Sequence, residues 1–182
     1  SCFPKDVKAL AHLANTKGME FSIVKATDKV NNHQRVRIVD KIKNYFDDDI
    51  KGKTFAVWGA AFKPETDDVR ESPAQFLCEK ILEEGGEINI YDPIASENFL
   101  KLFNLSDLNS IRIFNDKYDA LEGCHGLVIM TEWREFRSPN FDSIRDKLVN
   151  PVIFDARNLY RPNIVNEAGV NYYGFGRKPL LQ

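Results

Sequence analysis

Residues 55–72 read FAVWGAAFKPETDDVRES, which is an apolar strand, a charged turn and the start of a helix. In a dinucleotide-binding fold, this turn has several glycines so that its backbone amides can approach a pyrophosphate. Here Gly59 is the only glycine, and Lys63 offers a mobile positive charge instead. Phe62 beside it offers an aromatic face that can stack on a base or flank a sugar. These residue types suit a phosphorylated ligand.

A purely structural interpretation of the same turn is also open. Phe62 then covers the core, and the charged residues form a solvated surface cluster of the kind common in loops, made of Lys63, Asp67, Asp68 and Arg70. Asp92 follows the second predicted strand, where an acid that binds a ribose often lies, but Pro93 comes next and Asp92 equally begins a turn. The composition of this edge argues against a standard NAD site within this domain.

A second reactive segment, SCFPKD, occupies residues 1–6. Cys2 precedes a predicted helix, and both a helix amino terminus and the ammonium of Lys5 favour thiolate over thiol. A thiolate can add to an aldehyde to form a thiohemiacetal and then a thioester. Asp6 can orient water or carry protons, and Lys5 can meet a phosphate or a carboxylate. The alternative is that Cys2 is a small apolar residue without a chemical role.

Composition excludes several classes of protein. The 182 residues are 43% hydrophobic and 29% charged with a net charge of -2, which is typical of a soluble globular protein and not of one that binds nucleic acid. No apolar run approaches the roughly 18 residues of a membrane span. Three widely spaced cysteines indicate a reducing, cytoplasmic setting, and no histidine pair has the spacing of metal ligands. The chain begins at Ser1 without a methionine, so we expect a piece of a longer protein.

Two predicted helices open the chain, over residues 4–17 and 21–46. The second is long enough to connect domains or to form the spine of an oligomer, although a break near Asn31 and Asn32 is also open. Strands then alternate with helices. The predicted strands are 54–59, 87–91, 111–114, 126–130, 152–154 and 170–173, and the predicted helices between them are 73–84, 96–103, 120–124 and 141–148.

This alternation predicts an α/β fold with a Rossmann-like, doubly wound parallel sheet, preceded by a helical connector. We therefore expect two domains, a helical segment over residues 1–50 and a Rossmann-like domain over residues 51–182.

Four segments in this order resemble the nucleotide-sugar dehydrogenases of the UDP-glucose/GDP-mannose dehydrogenase family. They are SCFPKDVKAL at 1–10, GAAFKPETDDVRESPA at 59–74, LVIMTEWREFR at 127–137 and VIFDARNLYRP at 152–162. The last two look more like the branch that acts on UDP-glucose than like those that act on GDP-mannose or UDP-N-acetylmannosamine. The resemblance covers the whole chain.

The resemblance implies a four-electron oxidation of UDP-glucose to UDP-glucuronate by two molecules of NAD. Cys2 matches the nucleophile that captures the aldehyde, and Asp6 matches the acid that assists with water. The implied substrate-binding residues are Phe62, Lys63 and Arg157, with Lys63 near the diphosphate. The implied contacts with NAD are Lys5 and Arg70.

The resemblance also implies an NAD-binding domain before Ser1, so we expect that this chain alone does not turn over substrate. It further implies that the first domain contains the catalytic cysteine and connects subunits of a homodimer through the long helix, and that the second binds the UDP-sugar. Two alternatives remain open: a dehydrogenase of GDP-mannose or another nucleotide sugar, and a module that senses nucleotide sugars without chemistry.

Overall fold

A computed structural model describes the backbone of residues 2–181 and the side chains of residues 5–181. It contains six α-helices, which are α1 (Cys2–Thr16), α2 (Ser22–Tyr45), α3 (Pro73–Glu83), α4 (Ser96–Leu100), α5 (Phe141–Lys147) and α6 (Pro162–Glu167). The six strands are β1 (Thr54–Trp58), β2 (Glu87–Tyr91), β3 (Ile111–Ile113), β4 (Gly126–Ile129), β5 (Val152–Asp155) and β6 (Asn171–Gly174).

The strands form one sheet in the order β3-β2-β1-β4-β5-β6, and every pairing is parallel. This is the strand order of the dinucleotide-binding Rossmann fold, with its switch point between β1 and β4. The predicted α/β class and Rossmann-like sheet are therefore confirmed. Ligands of such sheets bind beyond the carboxyl ends of the strands near that switch, which is where the turns after β1, β4 and β5 meet.

Sequence patterns located most of the helices and missed α6. The predicted helix at 120–124 is instead a single 3-10 turn, Asp119–Leu121. The short α6 begins at Pro162 and buries only Val165, so it leaves almost no apolar periodicity to detect.

Helix α2 is continuous through Asn31 and Asn32, so the break that the sequence left open there does not occur. Its last turns bury Ile38, Val39 and Ile42 in the core that covers the sheet. Tyr45 at its end accepts a hydrogen bond from Asn171 Nδ2 of β6 at 3.1 Å. The carboxyl half of α2 is thereby fixed to the sheet, which in turn fixes where the preceding turns of the helix lie.

We expect Ile42→Ala to lower the free energy of unfolding by about 2–5 kcal/mol, because Ile42 is fully buried and its removal leaves a cavity. Ile23→Ala on the same helix is the matched control, since Ile23 is 79% exposed. The control should change stability by less than about 0.5 kcal/mol in urea unfolding. Equal losses for both variants would contradict this account of how α2 packs.

Candidate functional site

The turn after β1 is held by the protein's own side chains. The amides of Ala60 and Ala61 both donate to Asp92 Oδ2, at 2.8 and 3.0 Å. The Ser72 hydroxyl donates to the carbonyl of Ala60 at 2.7 Å, and the Thr131 hydroxyl donates to that of Ala61 at 2.6 Å. The amides that would receive a pyrophosphate in a dinucleotide-binding turn are thus already satisfied by a carboxylate.

Asp92 is the centre of this arrangement. Its second oxygen accepts from the amides of Ile94 and Ala95 at 3.0 and 2.8 Å, and Trp133 Nε1 donates to Oδ2 at 3.1 Å. The residue is only 5% exposed. The structure therefore supports the interpretation of Asp92 as a turn residue rather than as a ribose ligand. The residues of this turn do not fit the pyrophosphate of NAD.

Gly59 has a packing role in the same turn. Its φ of 96° lies in the left-handed region that favours glycine. A Cβ at this position would lie 2.5 Å from the Cβ of Thr131, which follows β4. The glycine therefore allows the turns after β1 and β4 to approach each other, and this approach places the Thr131 hydroxyl on the carbonyl of Ala61.

The rest of the turn is closed by backbone and ionic contacts. The Phe62 amide donates to the carbonyl of Asp68 at 2.8 Å. Arg70 binds the Asp68 carboxylate through two hydrogen bonds of 2.9 Å, and its side chain is 80% exposed. Lys63 is exposed, whereas Phe62 is half-buried. The turn therefore directs Phe62 inward and leaves Lys63 and Arg70 at the surface.

A cleft of about 400 Å³ lies between α2 and the carboxyl edge of the sheet. It brings together Phe62 from the turn after β1 and Arg157 from the turn after β5. The other residues around it are Lys8, Asp28, Asn31, Asn32, Gln34, Arg35, Ile38, Pro73, Met130, Ala156 and Phe175. Of the predicted site residues, Phe62 and Arg157 line this cleft, and Lys63, Arg70, Lys5 and Asp6 do not.

Arg157 is held in place by several groups. Its amide donates to Asp155 Oδ1 at 2.9 Å, and Asp155 also accepts from the Tyr172 hydroxyl at 2.9 Å. Burial raises the pKa of Asp155, while these hydrogen bonds act in the opposite direction. Nε of Arg157 donates to the carbonyl of Met130 at 2.7 Å and lies 3.3 Å from Glu132 Oε2. Among the described residues no hydrogen bond uses the two terminal nitrogens of Arg157, so both can donate to a ligand.

The first helix is tied to the end of the β1 turn. Lys8 Nζ lies 2.7 Å from Glu71 Oε1, and this contact lowers the pKa of the Glu71 carboxyl. Lys5 and Asp6 are exposed on α1, three and two residues before Lys8. The backbone of Cys2 begins α1, but its side chain lies outside the described residues. Lys8 of α1 lines the cleft, and its contact with Glu71 joins α1 to the turn after β1.

The other two thiols are inert by environment. Cys78 and Cys124 are both buried. Burial raises the pKa of the Cys78 thiol far above its usual range and that of Cys124 to about 12. Among residues 5–181, no group of three or more histidine, cysteine, aspartate or glutamate side chains is arranged to hold a metal ion. None of the described helices is long and apolar enough to cross a membrane.

Two features of the cleft were missed in the sequence. Asn31 and Arg35 line it from α2, where the pair Asn31 and Asn32 had suggested a possible break in the helix. Glu132 pairs with Arg157 from the segment after β4. The four-residue spacing of Asn31 and Arg35 on one helical face was an available signal, but only the packing of α2 shows which face meets the cleft.

The sequence matches the UDP-binding domain of the UDP-glucose/GDP-mannose dehydrogenase family over residues 56–162. It matches the central domain of the same family over residues 1–33. The chain therefore belongs to the UDP-glucose/GDP-mannose dehydrogenase family, a family of oxidoreductases that act on nucleotide sugars.

Individual relatives agree with this assignment. The chain is 37% identical over 178 residues to a UDP-glucose 6-dehydrogenase of Pseudomonas aeruginosa, which covers 97% of this chain and 39% of that protein. It is 35% identical over 177 residues to a UDP-glucose 6-dehydrogenase of Bacillus subtilis, in an alignment that covers 97% of this chain and 37% of that protein. The solved structure of a UDP-glucose dehydrogenase from Pyrobaculum islandicum superposes with a TM-score of 0.80 at 29% identity, covering 96% of this chain and 37% of that one. The chain thus spans about two fifths of the length of these relatives and matches their carboxyl-terminal portion.

We expect Asp92→Asn to destabilise the chain by about 2–3 kcal/mol, because an amide nitrogen would face backbone N–H donors that now share a carboxylate. Asp142→Asn is the matched control, since that carboxylate is 72% exposed and pairs only at the surface. The control should cost less than about 1 kcal/mol in urea unfolding. If Asp92→Asn lowers the free energy of unfolding no more than the control does, the carboxylate does not hold the turn.

We expect a single thiol, Cys2, to react rapidly with a disulfide reagent at pH 8 in the native chain, because the other two are buried and protonated. All three cysteines should react in denaturant. Cys2→Ser should abolish the fast phase and leave the slow reaction unchanged. Equal, slow labelling of all three thiols would instead favour a module that binds nucleotide sugars without chemistry.

Proposed function

We propose that this chain is the UDP-binding and catalytic-cysteine portion of an NAD-dependent dehydrogenase that oxidises UDP-glucose to UDP-glucuronate. The main support is one arrangement in the structure: Phe62 and Arg157 line a single cleft at the carboxyl edge of the sheet, while Asp92 closes the neighbouring dinucleotide turn. The relatives named UDP-glucose 6-dehydrogenase support the choice of substrate.

The binding roles follow from the chemistry of the lining. Phe62 offers its ring to the sugar or the base, and the terminal nitrogens of Arg157 donate to oxygen atoms of the substrate. Lys63 is exposed on the same turn, and its long side chain neutralises part of the diphosphate charge when substrate is bound. The carboxylate partner of Arg157, Glu132, keeps the guanidinium in place without using its terminal nitrogens.

The proposed chemistry centres on Cys2. Two-electron oxidation of the sugar C6 alcohol yields an aldehyde, and the thiolate adds to its carbonyl carbon to form a thiohemiacetal once the oxygen gains a proton. A second two-electron oxidation removes the hydrogen on that carbon and the hydroxyl proton, which leaves a thioester. Water then cleaves the carbon–sulfur bond to give the uronate and the free thiol. Asp6 orients this water or accepts its proton.

The oxidant in the proposal is NAD, used twice. Because the β1 turn does not fit its pyrophosphate, we assign most of the cofactor site to a domain outside this chain. Lys5 and Arg70 then contribute contacts from the surface of this one. We also propose a homodimer that forms through α2, and we expect the 182-residue chain alone not to reduce NAD when given UDP-glucose.

Calorimetric titration of the chain with UDP-glucose, UDP and GDP-mannose tests this function. We expect binding that prefers uridine nucleotides, and weakening of about tenfold for Arg157→Gln because charge-assisted hydrogen bonds are lost. Lys63→Ala should weaken UDP binding less, since Lys63 is exposed. Arg161→Gln is the matched control, because Arg161 is exposed and does not line the cleft, and it should bind as wild type does.

A preference for GDP-mannose would leave the family assignment intact and change the proposed substrate. Binding that is unaffected by Arg157→Gln would place the substrate site elsewhere, and failure of every nucleotide to bind would contradict the proposal that this cleft holds the substrate.

A further inference from the structure

The wall of the cleft that α2 supplies is polar and follows one helical face. Asp28, Asn31 and Arg35 line the cleft at spacings of three and four residues, so they lie along the same side of α2. Asn32 and Gln34 extend the same wall. Because the carboxyl half of α2 packs on the sheet through Ile42 and its neighbours, this polar face is rigidly presented to the cleft.

The charges around the cleft are unbalanced. Three cations line it, Lys8, Arg35 and Arg157, against the single carboxylate of Asp28. Lys8 is neutralised by Glu71 at 2.7 Å, and Nε of Arg157 lies 3.3 Å from the Glu132 carboxylate. Asp28 accepts a hydrogen bond from Asn32 on its own helix at 3.4 Å.

Arg35 is the cation of the cleft that has no close ion pair. It is half-buried, and no carboxylate among the described residues lies within ion-pair distance of it. The charge of Arg35 helps to lower the pKa of the Glu71 carboxyl, but the close partner of that carboxylate is Lys8. Within the part of the chain that the structure describes, the Arg35 side chain donates one hydrogen bond, from a terminal nitrogen to the backbone carbonyl of Glu71 at 3.4 Å. A guanidinium has five N–H donors, so most of the donors of Arg35 remain for a ligand.

We propose that Arg35, with Arg157, binds the diphosphate of the nucleotide sugar, and that Asn31 supplies a further amide donor; this rests on the proposed function of the cleft. Two arginines on different elements match a diphosphate because each planar guanidinium can donate two parallel hydrogen bonds to phosphate oxygens. Phe62 and Phe175 complete the cleft with apolar surface for the base or the sugar. A volume of about 400 Å³ lies within the usual range of ligand pockets.

A purely structural role for Arg35 gives a different expectation. If the side chain serves only to hold the carbonyl of Glu71, its replacement lowers stability and leaves ligand affinity unchanged. If it binds the diphosphate, replacement lowers the affinity for ligands that contain phosphate and leaves the affinity for uridine unchanged. Comparison of a phosphate-containing ligand with uridine therefore separates the two roles in a single variant.

The test is calorimetric titration of the 182-residue chain with UDP, uridine and inorganic pyrophosphate, for wild type, Arg35→Gln and Arg35→Lys. Arg35→Gln should bind UDP and pyrophosphate about tenfold more weakly and bind uridine as wild type does. Arg35→Lys should recover only part of the loss, because an ammonium cannot donate two parallel hydrogen bonds. Arg37→Gln is the matched control, since Arg37 is exposed on α2 and does not line the cleft.

The outcomes distinguish this inference from the proposed function. UDP binding that is equal in wild type and Arg35→Gln would overturn the role of Arg35 while leaving the proposed function intact. If wild type binds no UDP, the proposed function fails, and the titration with pyrophosphate then tests Arg35 alone. Weaker pyrophosphate binding by Arg35→Gln than by wild type would support an anion site at Arg35. Equal binding by the two proteins, or no binding by either, would overturn that site. An equal loss of affinity in Arg37→Gln would mean that the effect comes from general surface charge, and it would also overturn the role of Arg35.

Discussion

The architecture of the site depends on one buried carboxylate. Asp92 accepts hydrogen bonds from the amides of Ala60 and Ala61, which are the groups that a Rossmann turn otherwise offers to a pyrophosphate. Because the donors are already used, the turn has no need of a glycine-rich sequence, and its single glycine serves the close approach to Thr131. The same bonds fix the direction in which the chain continues to Phe62. The fold therefore keeps the topology of a dinucleotide-binding domain, while a side chain of the protein occupies the amides of the turn after β1.

A second buried carboxylate acts in the same way on the other side of the switch point. Asp155, at the end of β5, accepts from the amides of Arg157 and Tyr160 and from the Tyr172 hydroxyl. The turns that carry Phe62 and Arg157 are thus organised by acids at the ends of β2 and β5. Hydrogen bonds from several backbone amides stabilise a buried carboxylate, so each acid secures its loop without an opposing cation.

The sequence predicted the sheet well because its strands are short apolar runs between turn residues, as in β1 and β4. Phe62 was singled out from the turn after β1 and Arg157 only from the resemblance to the family, and the topology brings both residues to one cleft. The sequence could not predict that Arg35 lines the cleft, since periodicity places that residue on a helical face without showing which part of the protein the face contacts. It also left the role of Asp92 open, because an acid after a strand suits both a ribose and a turn until its hydrogen-bond partners are known.

We infer that this edge of the sheet receives a nucleotide sugar in the cleft and does not receive a dinucleotide on the β1 turn. Amide NMR spectra of the labelled chain, recorded with UDP and separately with NAD, test it most directly. We expect UDP to shift the amide signals of Phe62 and Arg157. With NAD, the Ala60 and Ala61 amides should stay unperturbed and keep their protection from exchange. Perturbation of Ala60 and Ala61 by NAD, with no response of Phe62 and Arg157 to UDP, would contradict it.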